Sequence, residues 1–90
     1  MRIDLFLKAS RLVKRRSVAR ELCDTGRVLV NRHQSKPAKE VKQGDRVMLQ
    51  FSTRSLELEV LDLPISSKKI DPGLLYQVTA EKRAVRDDNE

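Results

Sequence analysis

The spacing of apolar residues changes at Gly26, and that change limits the fold more than any other feature of the chain. Before it, Leu5, Phe6, Ala9, Leu12 and Val13 recur at steps of three and four, and Val18, Ala19, Leu22 and Cys23 repeat the pattern. At 3.6 residues per turn, such steps put apolar side chains on one face of a helix. After Gly26 the period shortens. Leu56, Leu58 and Val60 alternate with Glu57 and Glu59, so one face of that segment is dry and the other wet. Residues 46–51 and the β-branched stretch 27–31 predict two more strands, and residues 74–78 a last one. Two helices followed by several strands in 90 residues predict one small α+β domain.

Turn chemistry divides these elements. Asp4 is expected to cap the first helix, since a carboxylate there accepts exposed N–H groups. Gly26 ends the second helix, because glycine enters the left-handed region without penalty. Residues 31–34 read as a tight turn and Gly44 with Asp45 as another. Residues 52–54 suit a hairpin link. Pro37 edges whatever follows it. Residues 64–73 read as a polar loop containing Lys68 and Lys69, and residues from Ala80 onward as a frayed polar tail.

Charge is distributed unevenly. Residues 1–36 hold ten Lys and Arg against Asp4, Glu21 and Asp24, a net of +7, whereas residues 37–90 net −1, so the formal +6 belongs to the first forty per cent of the chain. Lys8 and Arg11 are three apart on the first helix, and Arg16 and Arg20 four apart on the second. Between the helices runs Lys14, Arg15, Arg16. Neither Lys14 nor Arg15 is a good N-cap, although Ser17 suits a later start. Three cations at a helix N-terminus oppose the dipole, and a bound anion relieves that conflict. Together with Arg2 these cations read as one basic face, and its expected partner is a nucleic-acid backbone. Only Phe6, Phe51 and Tyr76 are aromatic, and the first two read as core. With so few rings to stack bases, contact is expected to be with phosphate and sugar of a folded RNA.

Other chemistries find little support. Cys23 is the only cysteine and falls on an apolar stripe, so it reads as packing. His33 is the only histidine, reads as a surface turn residue, and has no neighbour for a metal site. Ser10, Ser17 and Ser35 lack a nucleophile-elbow context. Gly26, Gly44 and Gly73 are too far apart for a phosphate loop. No enzyme, cofactor or metal is expected. No apolar run reaches the roughly 20 residues of a membrane span, nor does the N-terminus resemble a signal peptide. A cytoplasmic location and no membrane partner are expected.

Order and spacing carry a further reading. Arg2-Ile3-Asp4 with Phe6-Leu7-Lys8, then Ser10-Arg11-Leu12, Lys14-Arg15-Arg16-Ser17 with Ala19, Gly26-Arg27-Val28 and Val30-Asn31 resemble the RNA-binding domain of the ribosomal protein S4 type. Ser35-Lys36-Pro37-Ala38, Val41 and Gly44-Asp45 continue the likeness, which covers residues 1–51. It implies two antiparallel helices packed on a small, bent, mostly antiparallel sheet. The domain division is then a single unit over 1–79, with core motif 1–51 and extra strands and loop 52–79, followed by a polar flexible tail over 80–90.

Among stand-alone members the chain is similar to the RqcP family of ribosome-associated quality control, and more distantly to the heat-shock family of ribosome rescue. The first resemblance implies binding to stalled large ribosomal subunits, at large-subunit rRNA and P-site peptidyl-tRNA. It also implies work beside an RqcH-like protein in alanine tailing of the nascent chain, as a monomer off the ribosome. Arg2 and Arg16 match the family's RNA-contacting residues best. Lys8, Arg11, Lys14, Arg15 and Arg20 flank them, Lys36 extends the patch, and Asp4 orders the first helix and Arg2. Two alternatives stay open: a rescue factor on free large subunits without tailing, and a small DNA-binding regulator with the second helix in a groove.

Overall fold

A computed structural model describes residues 1–64 and 71–83. Two short helices, α1 (Ile3–Ala9) and α2 (Arg16–Asp24), precede strands β1 (Val28–Val30), β2 (His33–Gln34), β3 (Arg46–Gln50), β4 (Arg54–Val60) and β5 (Tyr76–Arg83). A 3₁₀ turn, Pro72–Leu74, leads into β5. The strands form one antiparallel sheet in the order β2-β1-β3-β4-β5. The α+β expectation therefore holds, and each strand neighbours the next in the chain except for the step from β2 to β3.

Alternation in β3 and β4 sets the register. Val47 pairs with Leu58 and Leu49 with Leu56, and all four are buried. Met48 pairs with Glu57 on the opposite face. Val47, Leu49 and Leu58 pack with Val28 and Val30 of β1, Ile3, Phe6 and Leu7 of α1, and Ala19, Leu22 and Cys23 of α2 in one cluster. The helical stripes need three corrections. Leu5 and Ala9 are only half-buried, and the apolar buried face of α1 is Ile3, Phe6 and Leu7. Val18 is exposed, because α2 is short and its buried face starts at Ala19. Leu12 and Val13 lie beyond the end of α1, yet Val13 still reaches the core from the inter-helix turn.

Helix ends follow different rules from those expected. α2 closes on Gly26 (φ 75°): Arg27 N–H donates to Leu22 O at 2.8 Å and Gly26 N–H to Cys23 O at 3.0 Å, the two bonds of a Schellman motif. A Cβ at Gly26 would also come within 2.7 Å of Gln34 Nε2. α1 stops without glycine, through Ser10 in the αR region and Arg11 at φ 62°, with Ser10 Oγ donating to Leu7 O. Its start corrects the reading of Asp4. The N-cap is Arg2, without a side-chain cap, and Asp4 lies inside the first turn. The N–H groups of Ile3 and Asp4 donate instead to the carbonyls of Lys39 and Pro37, at 2.8 and 3.3 Å. A strap of backbone from a distant loop caps α1, so the Asp4 carboxylate is available for other partners.

Residues 31–34 do turn the chain, but more tightly than a four-residue loop. Asn31 (φ 51°) and Arg32 (φ 73°) form the turn, and Val30 pairs with His33. Two positive φ values match a type I′ hairpin. Gly44 (φ 92°) and Asp45 form the other expected turn. At the other end β5 runs to Arg83, past the expected boundary at 79, because residues 81–83 pair with residues 54–56 of β4. The loop cations Lys68 and Lys69, and the tail from residue 84, lie outside the described residues.

Candidate nucleic-acid interface

Asp4 sits fully buried between the helices and joins two of the expected cations. Its Oδ2 accepts from Arg2 Nη2 at 3.1 Å and from Arg16 Nε at 3.2 Å, while Oδ1 accepts from Leu5 N–H at 2.8 Å. Arg2 and Arg16 side chains remain 38% and 42% exposed. One carboxylate shared by two guanidinium groups leaves a local charge of +1. Each arginine spends one N–H of its fork on Asp4, and the fork geometry suits oxyanions. Arg2 Nε is buried without a hydrogen-bond partner. The clamp therefore holds two cations, one before α1 and one opening α2, in fixed relation without neutralising both.

A second group lies where α1 ends. Lys8, Arg11 and Lys14 surround a depression of about 280 Å³ with Val13 as its apolar wall. All three cations are exposed. The left-handed backbone at Arg11 turns the chain back, and so brings Lys14 beside Lys8. Arg15 is the N-cap residue of α2, with no side-chain cap, and no acid occupies that helix's first turn. Arg15 and Arg20 are exposed and have no carboxylate partner among the described residues. Ser17 is exposed in the first turn and does not cap. Lys36 is the exception in place. It lines a separate cavity beside the β1–β2 hairpin, although its loop touches α1 through Pro37.

Cys23 is buried, and burial first, then the charges of Asp4 and Asp24, push its thiol up to about 11. At neutral pH it is a protonated packing group, since nucleophilic cysteines need a lowered value. Among the described residues no group of His, Cys, Asp and Glu could hold a metal ion, and no helix is long and apolar enough to cross a membrane. Sequence reasoning missed the exposed cations Arg27, Arg32, Lys39, Lys42 and Arg46. A net of −1 over residues 37–90 hid three of them, whereas the three-residue spacing of Lys36, Lys39 and Lys42 was a visible signal.

A helix pair that carries a basic face, backed by a five-stranded antiparallel sheet, defines a small RNA-binding class of fold, and comparison with known proteins agrees. The S4 domain family model matches residues 1–47. The chain is 37% identical to the RQC P-site tRNA stabilizing factor of Bacillus subtilis, over 92% of this chain and 96% of that one. With the protein of the same name from Streptococcus pneumoniae it shares 40%, over 92% and 94%. Among solved structures, Vibrio cholerae heat shock protein 15, described as trimeric, has a TM-score of 0.75 at 31% identity, covering 89% of this chain and 82% of that one. The solution structure of the hypothetical protein HP1423 gives 0.75 at 35%, covering 89% and 98%. The chain belongs to the S4 domain family, in the branch of the RQC P-site tRNA stabilizing factors.

Proposed function

We propose that this chain is an RNA-binding factor of ribosome-associated quality control. It holds P-site peptidyl-tRNA on a stalled large ribosomal subunit and supports alanine tailing of the nascent chain beside an RqcH-like protein. It acts by binding rather than by catalysis. The observation that carries this reading is the Asp4 clamp, which fixes Arg2 and Arg16 together while leaving both partly exposed. Lys8, Arg11, Lys14, Arg15 and Arg20 extend the basic face, and Lys36 adds to it from the neighbouring loop. The names of its relatives supply the P-site tRNA.

Physically, a basic wedge that neutralises phosphates on rRNA and tRNA together raises the effective concentration of one for the other. If about six phosphates are engaged, the affinity falls with salt at a log-log slope of roughly −4 to −5. Sedimentation of a lysate with a tagged copy, followed by mass spectrometry and tRNA blotting, tests the reading. Wild type is expected with large subunits, peptidyl-tRNA and an RqcH-like protein. The variant Arg15→Glu/Arg20→Glu, altered at two exposed unpaired cations, is expected at the top of the gradient. Wild type absent from subunits under stalling conditions overturns the proposal. Alanine tails that persist after loss of the protein would instead favour the rescue role without tailing.

A further inference from the structure

Six cations lie on the chain from Arg27 to Arg46, which forms the β1–β2 hairpin and the loop that follows it. Arg27, Arg32, Lys36, Lys39, Lys42 and Arg46 are exposed, and none has a carboxylate partner among the described residues. The acids of the same stretch are already engaged. Glu40 takes the N-terminal ammonium at 3.0 Å. Asp45 is buried and accepts from Asn31 Nδ2 at 3.2 Å and from Lys42 N–H at 3.0 Å. Residues 27–46 therefore carry six cations against two acids, one of them already paired with the N-terminus.

Within this stretch lies a cavity of about 520 Å³, the larger of the two basic hollows, lined by Val30, His33, Gln34, Lys36, Ala38 and Lys39 among others. That volume falls in the range of small-ligand sites. Its chemistry is divided. Ala38 offers an exposed methyl group above the buried Val30. Gln34 offers an amide, donor and acceptor, that forms no side-chain hydrogen bond with another described residue. Asn31 cannot serve in the same way, since its Nδ2 donates to Asp45 and its Oδ1 accepts from Arg46 N–H. Lys36 and Lys39 carry ammonium groups on the same wall. Apolar surface, a free amide and flanking cations are what an unstacked base with its two phosphates requires. The depression at Lys8, Arg11 and Lys14 has cations and a single valine, and suits backbone phosphate alone.

We infer that this cavity takes one unpaired RNA nucleotide, with the base against Ala38, its edge at Gln34, and its phosphates on Lys36 and Lys39. The inference rests on the RNA-binding reading above and adds to it. The helices hold a folded RNA by its backbone, and the hairpin holds a single-stranded element.

The test uses the whole chain, ¹⁵N-labelled, titrated with a uridine pentanucleotide and separately with a short blunt RNA duplex. Uridines stack weakly, so their bases are available. The pentanucleotide is expected to shift the amide signals of Gln34, Ser35, Lys36 and Lys39, and the duplex those of residues 2–20. Ala38→Leu crowds the cavity at an exposed position, adds no ring and keeps every charge. It is expected to weaken the pentanucleotide by about fivefold or more and to leave the duplex unchanged. Lys36→Gln/Lys39→Gln is expected to weaken the pentanucleotide too. Pentanucleotide shifts confined to residues 2–20, an Ala38→Leu variant that binds it as wild type does, or duplex binding without any pentanucleotide binding each overturns the inference. Failure of both RNAs to bind overturns the RNA-binding reading as well.

Discussion

Asp4→Asn separates charge from geometry. The substitution keeps size and one acceptor oxygen but removes the buried negative charge, so the formal net charge rises from +6 to +7. A count of charges alone expects tighter RNA binding. The clamp expects the opposite, because Arg2 and Arg16 lose the shared oxygen that fixes them at 3.1 and 3.2 Å. A charge-assisted hydrogen bond is worth about 1.5–3 kcal/mol when well shielded. Both arginines are about two-fifths exposed, so water takes over part of each bond, and about 1 kcal/mol apiece is a fair value. Asparagine recovers a fraction as a neutral acceptor. The expected loss of stability is about 1–2 kcal/mol, or a fall in Tm of roughly 5–15 °C for a domain of this size. Urea unfolding followed by circular dichroism measures it. Binding to purified large subunits, measured at a temperature where both proteins are fully folded, is expected to weaken despite the added charge. Equal or tighter binding by the Asn variant would refute the idea that Asp4 positions the two arginines.

Other expectations follow from the same contacts. Leu22→Ala opens a hole under α2, where Leu22 is buried, and is expected to cost about 2–4 kcal/mol in urea unfolding while leaving RNA binding intact in the fraction that stays folded. Truncation after Ala80 removes three residues of β5 that pair with β4, and with them the Arg54–Glu81 ion pair at 3.6 Å. It is expected to cost about 1 kcal/mol relative to the full chain, and equal stability of the two would show that the end of β5 is dispensable. The Cys23 thiol is raised from 9.0 to about 11 in the folded chain, so above pH 9 the unfolded chain loses a proton that the folded chain retains. Its contribution is complete below pH 9 and lost as pH rises toward 11, and the stability of wild type relative to Cys23→Ala is expected to fall by up to about 2 kcal/mol across that window. A pH-independent difference would refute the burial argument.

The order of elements was legible because it rests on local rules. Period-three-and-four spacing, Gly26 and the alternation from Leu56 to Val60 each act over a few residues, and each appears in the fold. The capping of α1 was not legible. Asp4 obeys the local statistics of a cap, but Pro37 and Lys39 supply the acceptors from more than thirty residues away, and no local rule sees that strap. The same holds at the site. Lys8, Arg11 and Lys14 meet as the helical spacing and turn imply. Grouping Lys36 with them followed from sequence proximity, and the hairpin places it at a different hollow. The end of β5 was missed because YQVTAEKR is polar beyond Val78. Edge strands need few apolar residues, and their pairing comes from backbone bonds that composition does not report.

The clamp and the strap belong to one arrangement. A helix start ordinarily gains from an acidic or hydroxyl side chain that meets its free N–H groups, worth about 1 kcal/mol. Neither helix here has one at the N-cap, where Arg2 and Arg15 stand, although Asp4 Oδ1 takes the Leu5 N–H from inside the first turn of α1. For α1 the backbone strap makes up the loss, through Ile3 and Asp4 N–H. That substitution frees the only acid at the helix junction to turn sideways and collect Arg2 and Arg16, while Arg15 opens α2 with a cation where the dipole favours an anion. Local stability has been given up at α2 in the one place where the proposed RNA phosphate would restore it. Replacing Arg15 by Asp should therefore stabilise the free protein by about 0.5–1 kcal/mol and weaken its hold on large subunits. Measured together by urea unfolding and by sedimentation, the two effects are expected to have opposite signs. If the variant is stabilised and binds as wild type does, the start of α2 is outside the interface, and the proposed face shrinks to the Asp4 clamp and the hollow at Lys8.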